Sequence, residues 1–233
     1  MPELTRSALI DRLANLIDTR RSPHPVRVAI DGPDAAGKTT LADELAARLD
    51  SHRSVIRASI DGFHLPADVR RRRGPLSPEG CYHDSFDTQA IRMVLLEPLG
   101  TGGDRRYRAA VFDLREDIAI AAPVRTAPVD AVVLVDGVFL LRPELRDLWD
   151  LAVYVAISPQ ETVRRAVVRD AEIMGGPDAV RERYAARYLP AQDLYRIDAA
   201  PADRADVVVD NENVTRPRVK KWPANENSRT NTG

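Results

Sequence analysis

Apolar positions along the chain follow two alternating rhythms. Leu4, Ala8, Leu13, Leu16 and Ile17 fall near one face of a helix, with arginine and aspartate opposite. Arg21-Ser22-Pro23-His24-Pro25 breaks that pattern. Short β-branched runs at 26–30 and 54–60 read as strands, and helical spacing returns at 39–49 and 88–96. Residues 70–80 read as a loop, with four consecutive arginines followed by Gly74, Pro75, Pro78 and Gly80. Residues 99–104 form a glycine-rich turn leading into a predicted strand at 107–113. The continuous apolar runs at 131–135 and 151–157 suit strands buried on both faces. Helices are predicted at 159–174 and 178–197, separated by Gly175-Gly176-Pro177, and a last strand at 206–209. Strands alternating with helices predict an α/β fold: an open, mainly parallel sheet with flanking helices.

Length narrows this picture. At about 150 residues per domain, 233 residues give roughly one to two domains. The absence of an internal repeat favours one domain with an appendage. After Asn211 the chain turns polar, so 212–233 is expected to be a disordered tail. With 44% hydrophobic and 30% charged residues, disorder of the whole chain is excluded.

Charge and special residues exclude several functions. The 34 basic and 35 acidic residues nearly cancel, which argues against nucleic-acid binding driven by net charge. The single cysteine, Cys81, cannot form an internal disulfide and suits a reducing compartment. No run approaches the roughly 20 apolar residues of a membrane helix, and Glu3 and Arg6 interrupt the start. A cytoplasmic protein is expected. His64 and His83 lack metal-ligand spacing, so zinc is not expected.

Lysine distribution points to the chemistry. Among the first 219 residues lysine occurs once, at Lys38, within Gly32-Pro33-Asp34-Ala35-Ala36-Gly37-Lys38-Thr39. This fits G-x-x-x-x-G-K-[ST] between a predicted strand and a predicted helix, the context that gives the motif meaning. Chance would produce it in roughly one chain in a thousand of this composition. Backbone amides of Gly32, Asp34, Ala35, Ala36 and Gly37 and the helix start at Thr39 and Thr40 would face phosphates. Lys38 would supply charge to the β- and γ-phosphates of ATP, and the Thr39 hydroxyl can ligate Mg2+. Two acids fall at strand ends, where open α/β sheets bind ligands: Asp61 after 54–60 and Asp136 after 132–135. Asp61 could accept a proton from an acceptor hydroxyl, and Asp136 could sit beside the magnesium ion. Either could instead cap its turn.

These segments, with Ser59-Ile60-Asp61-Gly62-Phe63-His64 and Ala205-Asp206-Val207-Val208-Val209, resemble the uridine kinase, phosphoribulokinase and pantothenate kinase group of P-loop kinases. The resemblance runs from about residue 26 to 211. It implies Asp61 as catalytic base, Asp136 as a magnesium-holding acid, and a lid near 164–187 bearing Arg165 and Arg169, with Arg164 less securely placed. Helical spacing independently puts Arg165 and Arg169 on one face. The resemblance divides the chain into an N-terminal helix and linker (1–25), a kinase domain (26–211) and the tail. Substrate contacts are expected from His64, and from Phe112 and Arg115 in a stretch resembling the acceptor pocket. Departures from uridine kinases occur at the acceptor end: Gly62 and Phe63 stand where a second acid and an aromatic are usual, and the histidine expected near Phe112-Asp113-Leu114 is missing.

The expectation is an ATP- and Mg2+-dependent kinase acting on a small hydroxyl acceptor, a nucleoside such as uridine first. Pantothenate, a sugar phosphate or another acceptor is the alternative, and a nucleotide-binding regulator without phosphoryl transfer is the reading from another class. The Arg70–Arg73 run is read as a solvated loop or as a site for a phosphate on the acceptor. Nucleic acid and membrane are not expected as partners, and assembly into a homo-oligomer stays open.

Overall fold

The computed structural model describes residues 4–224. A six-stranded sheet is built from β1 (Val26–Asp31), β2 (Val55–Ser59), β3 (Val132–Gly137), β4 (Leu151–Ala156), β5 (Val207–Asp210) and β6 (Arg218–Lys221). Its spatial order is β6-β5-β4-β1-β3-β2, parallel except for β6, which runs antiparallel to β5.

The continuous apolar runs have a direct cause: the central strands bury both faces. Val28, Ile30, Val132 and Leu134 join one apolar layer with Leu9, Leu13 and Ile17 of α1 (Arg6–Thr19) and Leu41 and Leu45 of α2 (Lys38–Leu49). Ala29, Val133 and Val135 face the opposite layer, which contains Phe63, Leu95, Phe139 and Tyr195. Each fully buried Val or Leu contributes about 1.5–3 kcal/mol, so the two layers hold the strand ends in register. That register pairs Ile30 with Asp136 and Ser59 with Asp136, bringing three carboxyl ends to one level.

Four local expectations differ from the structure. Residues 107–113 are not one strand. Arg106–Tyr107 and Phe112–Asp113 form separate two-residue bridges, because the intervening amides bond elsewhere, Arg108 to the Val94 carbonyl and Val111 to the Gly62 carbonyl. The 70–80 loop is shorter than expected. Ala67–Arg70 is already a helical turn, and α3 (Pro78–Asp84) begins within the expected loop, capped by Ser77, whose Oγ accepts from the Gly80 amide. The helix expected at 178–197 is divided into α5 (Pro177–Arg183), a wider turn at Tyr184–Tyr188 and α6 (Leu189–Ala199). The expected disordered tail is incorrect for 218–221, which form β6: Val219 is buried in the first layer, and that burial compensates for the polar neighbours. Residues 225–233 lie outside the described residues.

Among the described residues, no helix is long and apolar enough to cross a membrane.

Candidate active site

The turn from β1 into α2 creates the centre of the site. Gly32 has φ +152°, and a Cβ there would lie 2.3 Å from the Val155 carbonyl oxygen, so only glycine lets the loop pass this closely over β4. Gly37 then precedes α2, whose free amides and dipole face the loop. Asn211, just beyond β5, and Arg165, from the helix that follows β4, brace the loop from behind. Asn211 Nδ2 donates to the Ala36 carbonyl at 2.8 Å, and Arg165 donates to the carbonyls of Ala35 (3.4 Å) and Asn211 (2.7 Å). Gly32 and Ala36 therefore shape the loop, whereas Asp34, Ala35, Lys38 and Thr39 line a cavity of about 370 Å³.

Lys38 Nζ donates to the Pro33 carbonyl at 2.7 Å, held inside the loop it is to serve. Desolvation lowers its pKa from the ordinary lysine value, against the pull of Asp34, Asp31 and Asp61. Asp34, half-buried in the same loop, is pushed up by desolvation, partly offset by Lys38 and Arg169.

Thr39 and Asp136 meet as the register demands. Thr39 Oγ1 donates to Asp136 Oδ2 at 2.6 Å, and Arg57 Nη2 donates to Asp136 Oδ1 at 2.9 Å. No group of three or more His, Cys, Asp or Glu side chains able to hold a metal forms among the described residues. One hydroxyl and one carboxylate fit Mg2+, which commonly takes one or two protein ligands, with phosphates and water completing its octahedron.

Asp61 lies beyond β2 in a short turn, its amide donating to Ser59 Oγ at 3.3 Å, and lines the same cavity. His64 Nε2 lies 3.4 Å from its Oδ1, while His64 Nδ1 donates to the Ser85 carbonyl at 2.9 Å. The His64 ring packs on Phe86 with centroids 4.4 Å apart. Desolvation at the cavity wall pushes the Asp61 carboxyl up, but His64, Lys38 and Arg169 together hold it below the usual carboxylate range. Farther along the cavity, burial pushes the Cys81 thiol up to about 11, which keeps it from acting as a thiolate near neutral pH.

Arg169 lines both this cavity and a smaller one outside the loop that also touches Gly37, Thr40 and Arg165. Its guanidinium pairs with Asp170 at 2.6 Å. The helix carrying it, α4 (Pro159–Met174), ends at Gly175, and α5 follows at once. Arg164, by contrast, is held by Glu161 at 2.6 Å and lines neither cavity.

Two expected substrate residues do not reach the cavity. Phe112 is buried beneath its two-residue bridge, and Arg115 lies in the hairpin turn, where its amide donates to Asp113. Leu114, between them, lines the cavity instead. The sequence reading also missed Asn211 and Arg57. Asn211 follows the carboxyl end of β5, the same strand-end rule that identified Asp61 and Asp136. Arg57 carries no such signal.

A phosphate-type loop on the central strand, a hydroxyl–carboxylate pair beside it and an acid beyond the end of β2, one strand past β3, have the layout of one class: a P-loop kinase. The comparisons agree. No family model matches the chain. It is 28% identical over 194 residues to uridine-cytidine kinase B of Dictyostelium discoideum, covering 82% of this chain and 77% of that protein. It is 27% identical to pantothenate kinase of Leifsonia xyli, covering 89% and 68%. The chain spans about two fifths of the length of longer plant relatives that it also matches. A solved structure of a kinase provisionally assigned to a fructose transport system, from Silicibacter sp. TM1040, superposes with TM-score 0.71 and 26% identity over 88% of this chain and 98% of that one. The chain is a uridine kinase-like P-loop kinase, a phosphotransferase that acts on a small metabolite.

Proposed function

We propose that the protein transfers the γ-phosphoryl group of ATP to a hydroxyl of a small metabolite, with Asp61 as the base. The observation that supports this most is the convergence of Lys38, Thr39, Asp61 and Asp136 on one cavity. The loop amides and Lys38 hold the β- and γ-phosphates. Asp61 takes the proton of the acceptor hydroxyl as that oxygen bonds to the γ-phosphorus. The bond from the γ-phosphorus to the β,γ-bridging oxygen breaks, and ADP leaves with the electron pair. Bound Mg2+, held by Thr39 and Asp136, would neutralise charge on the phosphates. Arg169 adds a cation from α4, and the joint at Gly175 and Gly176 supports a lid that closes over the phosphates and excludes water.

A nucleoside is the first acceptor class suggested by relatives named uridine kinase. A second reading, an acidic acceptor, is favoured by the arginines Arg70 and Arg187 that line the far part of the cavity.

Asp61→Asn tests the mechanism. Asn preserves shape and can still cap the turn but takes no proton, so acceptor-dependent turnover should fall about 10²–10⁴-fold while ATP affinity holds. Retained turnover returns Asp61 to a capping role.

A further inference from the structure

A second recess, of about 280 Å³, adjoins the central cavity and is lined by Arg70, Arg71, Arg183 and Arg187 with Pro75 and Tyr188. Arg70, Arg187 and Tyr188 line both spaces, so the two share a wall. The recess shares no residue with the cavity outside the phosphate loop, where Arg165 and Thr40 sit. It therefore adjoins the cavity that Asp61 lines and not the one outside the phosphate loop.

Its charge is largely uncompensated. Among the described residues one carboxylate pairs with any of the four arginines: Asp117, whose Oδ1 accepts from Arg70 Nη2 at 2.5 Å. Arg71 and Arg183 are exposed and neither guanidinium forms a close ion pair among the described residues, although Arg71 lies within the field of Asp117, whose carboxyl is held low by the Ala67 amide, by Arg70 and by Arg71. Arg187 is 8% exposed. Its Nη1 donates to the carbonyls of Pro75 (3.0 Å) and Ser77 (3.3 Å), which fixes the guanidinium beside the Cys81 thiol without a carboxylate among the described residues to neutralise it. Arg70 is fixed the same way, Nε donating to the Leu65 carbonyl at 2.6 Å. Two anchored and two exposed guanidinium groups around one small space, with Asp117 as the carboxylate paired to one of them, repel one another unless a further anion sits between them. Their planar forks match a phosphate or carboxylate with paired hydrogen bonds.

Resting on the kinase reading of the neighbouring cavity, we infer that the acceptor is an anion: it carries a phosphate or carboxylate that seats in this recess while its hydroxyl reaches Asp61. The remaining arginines of the run do not share this role. Arg73 pairs with Asp84 at 2.8 Å, and Arg72 is exposed outside the recess.

Matched acceptor pairs that differ in the anion test this: ribose 5-phosphate against ribose, pantothenate against its neutral alcohol panthenol, with uridine as the neutral nucleoside. The full chain should turn over the anionic member of at least one pair with kcat/KM about tenfold or more above its neutral partner, and which pair responds separates phosphate from carboxylate. In the double variant Arg71→Ser/Arg183→Ser that preference should collapse through acceptor KM, with ATP KM unmoved. Neither side chain is buried, so the variant should melt like wild type, and Arg72→Ser should retain the preference. Uridine, or the neutral member of every pair, used as well as the anions would overturn the inference and leave the kinase reading standing, as would a preference that survives Arg71→Ser/Arg183→Ser. ATP binding without acceptor-dependent consumption for any compound would instead remove the kinase reading, and the anionic acceptor with it.

Discussion

Arg57 Nη2 donates to Asp136 Oδ1 at 2.9 Å, so the acid at the end of β3 is held by a guanidinium from β2. The other oxygen of Asp136 takes the Thr39 hydroxyl. The carboxylate is 4% exposed against 26% for Arg57, so the partially buried cation balances a buried anion. Arg57→Met keeps the stem and removes that balance, which should cost about 1–3 kcal/mol without metal, less than a fully buried pair because Arg57 reaches solvent. A divalent cation with ADP can take over the charge. Thermal melts should therefore show a larger Mg2+-ADP stabilisation in Arg57→Met than in wild type. Equal Mg2+ responses would remove Asp136 from the cation site.

The sheet was legible because its strands are buried on both faces and read as unbroken apolar runs, as at Val132–Val133–Leu134–Val135. The loop was legible because its spacing is imposed by backbone geometry within eight residues. Asp61 and Asp136 followed from the strand-end rule. What escaped depends on distant partners. Arg57 looks like any polar strand residue until β3 is laid beside it, and Arg187 resembles a surface arginine until the Pro75 and Ser77 carbonyls bury it. Phe112 and Arg115 were misplaced because the stretch 107–113 bends away from a continuous ladder, and register decides which side chain faces the cavity.

The Asp61–His64 contact sets a pH expectation. Desolvation raises the Asp61 pKa, and His64 leads the groups that lower it below its ordinary 3.8. A base must be ionised, so its activity falls as pH drops through its pKa. In wild type that acid limb should lie below pH 3.8. His64→Gln should move the limb upward, seen as a new decline in kcat/KM at the acid end of a pH profile. An unchanged profile would mean that His64 does not tune the base.

Arg169 separates closure from simple binding. It lines the cavities on both sides of the phosphate loop and comes from the helix that ends at Gly175. A cation that meets the phosphates chiefly after closure acts in the transition state. Arg169→Ala should lower kcat by about 10²–10³ and leave ATP affinity within about threefold. Stopped-flow turnover and equilibrium titration of an ATP analogue measure the two quantities. Equal losses would mark a ground-state contact.

Asp31 makes the phosphate loop sensitive to pH through stability, not catalysis. Fully buried behind Gly32, it accepts from the Gly32 amide at 2.8 Å, the Leu140 amide at 3.4 Å and the Tyr195 hydroxyl. Burial nevertheless pushes its pKa from 3.8 up to about 6, outweighing those hydrogen bonds. The unfolded chain ionises Asp31 at the lower value and the folded chain at the higher one. Between them the native state binds the extra proton, so stability falls as pH rises. The contribution is complete below about 3.8 and is lost by the time pH passes about 6. At about 1.4 kcal/mol per pH unit, the gap corresponds to about 3 kcal/mol. Denaturant titrations from pH 4 to 7.5 on wild type and Asp31→Asn should isolate it, since Asn keeps one acceptor oxygen for the Gly32 and Leu140 amides, turns its NH2 toward the Tyr195 hydroxyl oxygen and does not ionise. The difference in stability between the two proteins should shift toward the variant by about that amount as pH rises. A difference that stays constant across the range would mean Asp31 keeps its ordinary pKa in the fold, with Tyr195 and the two amides fully compensating its burial.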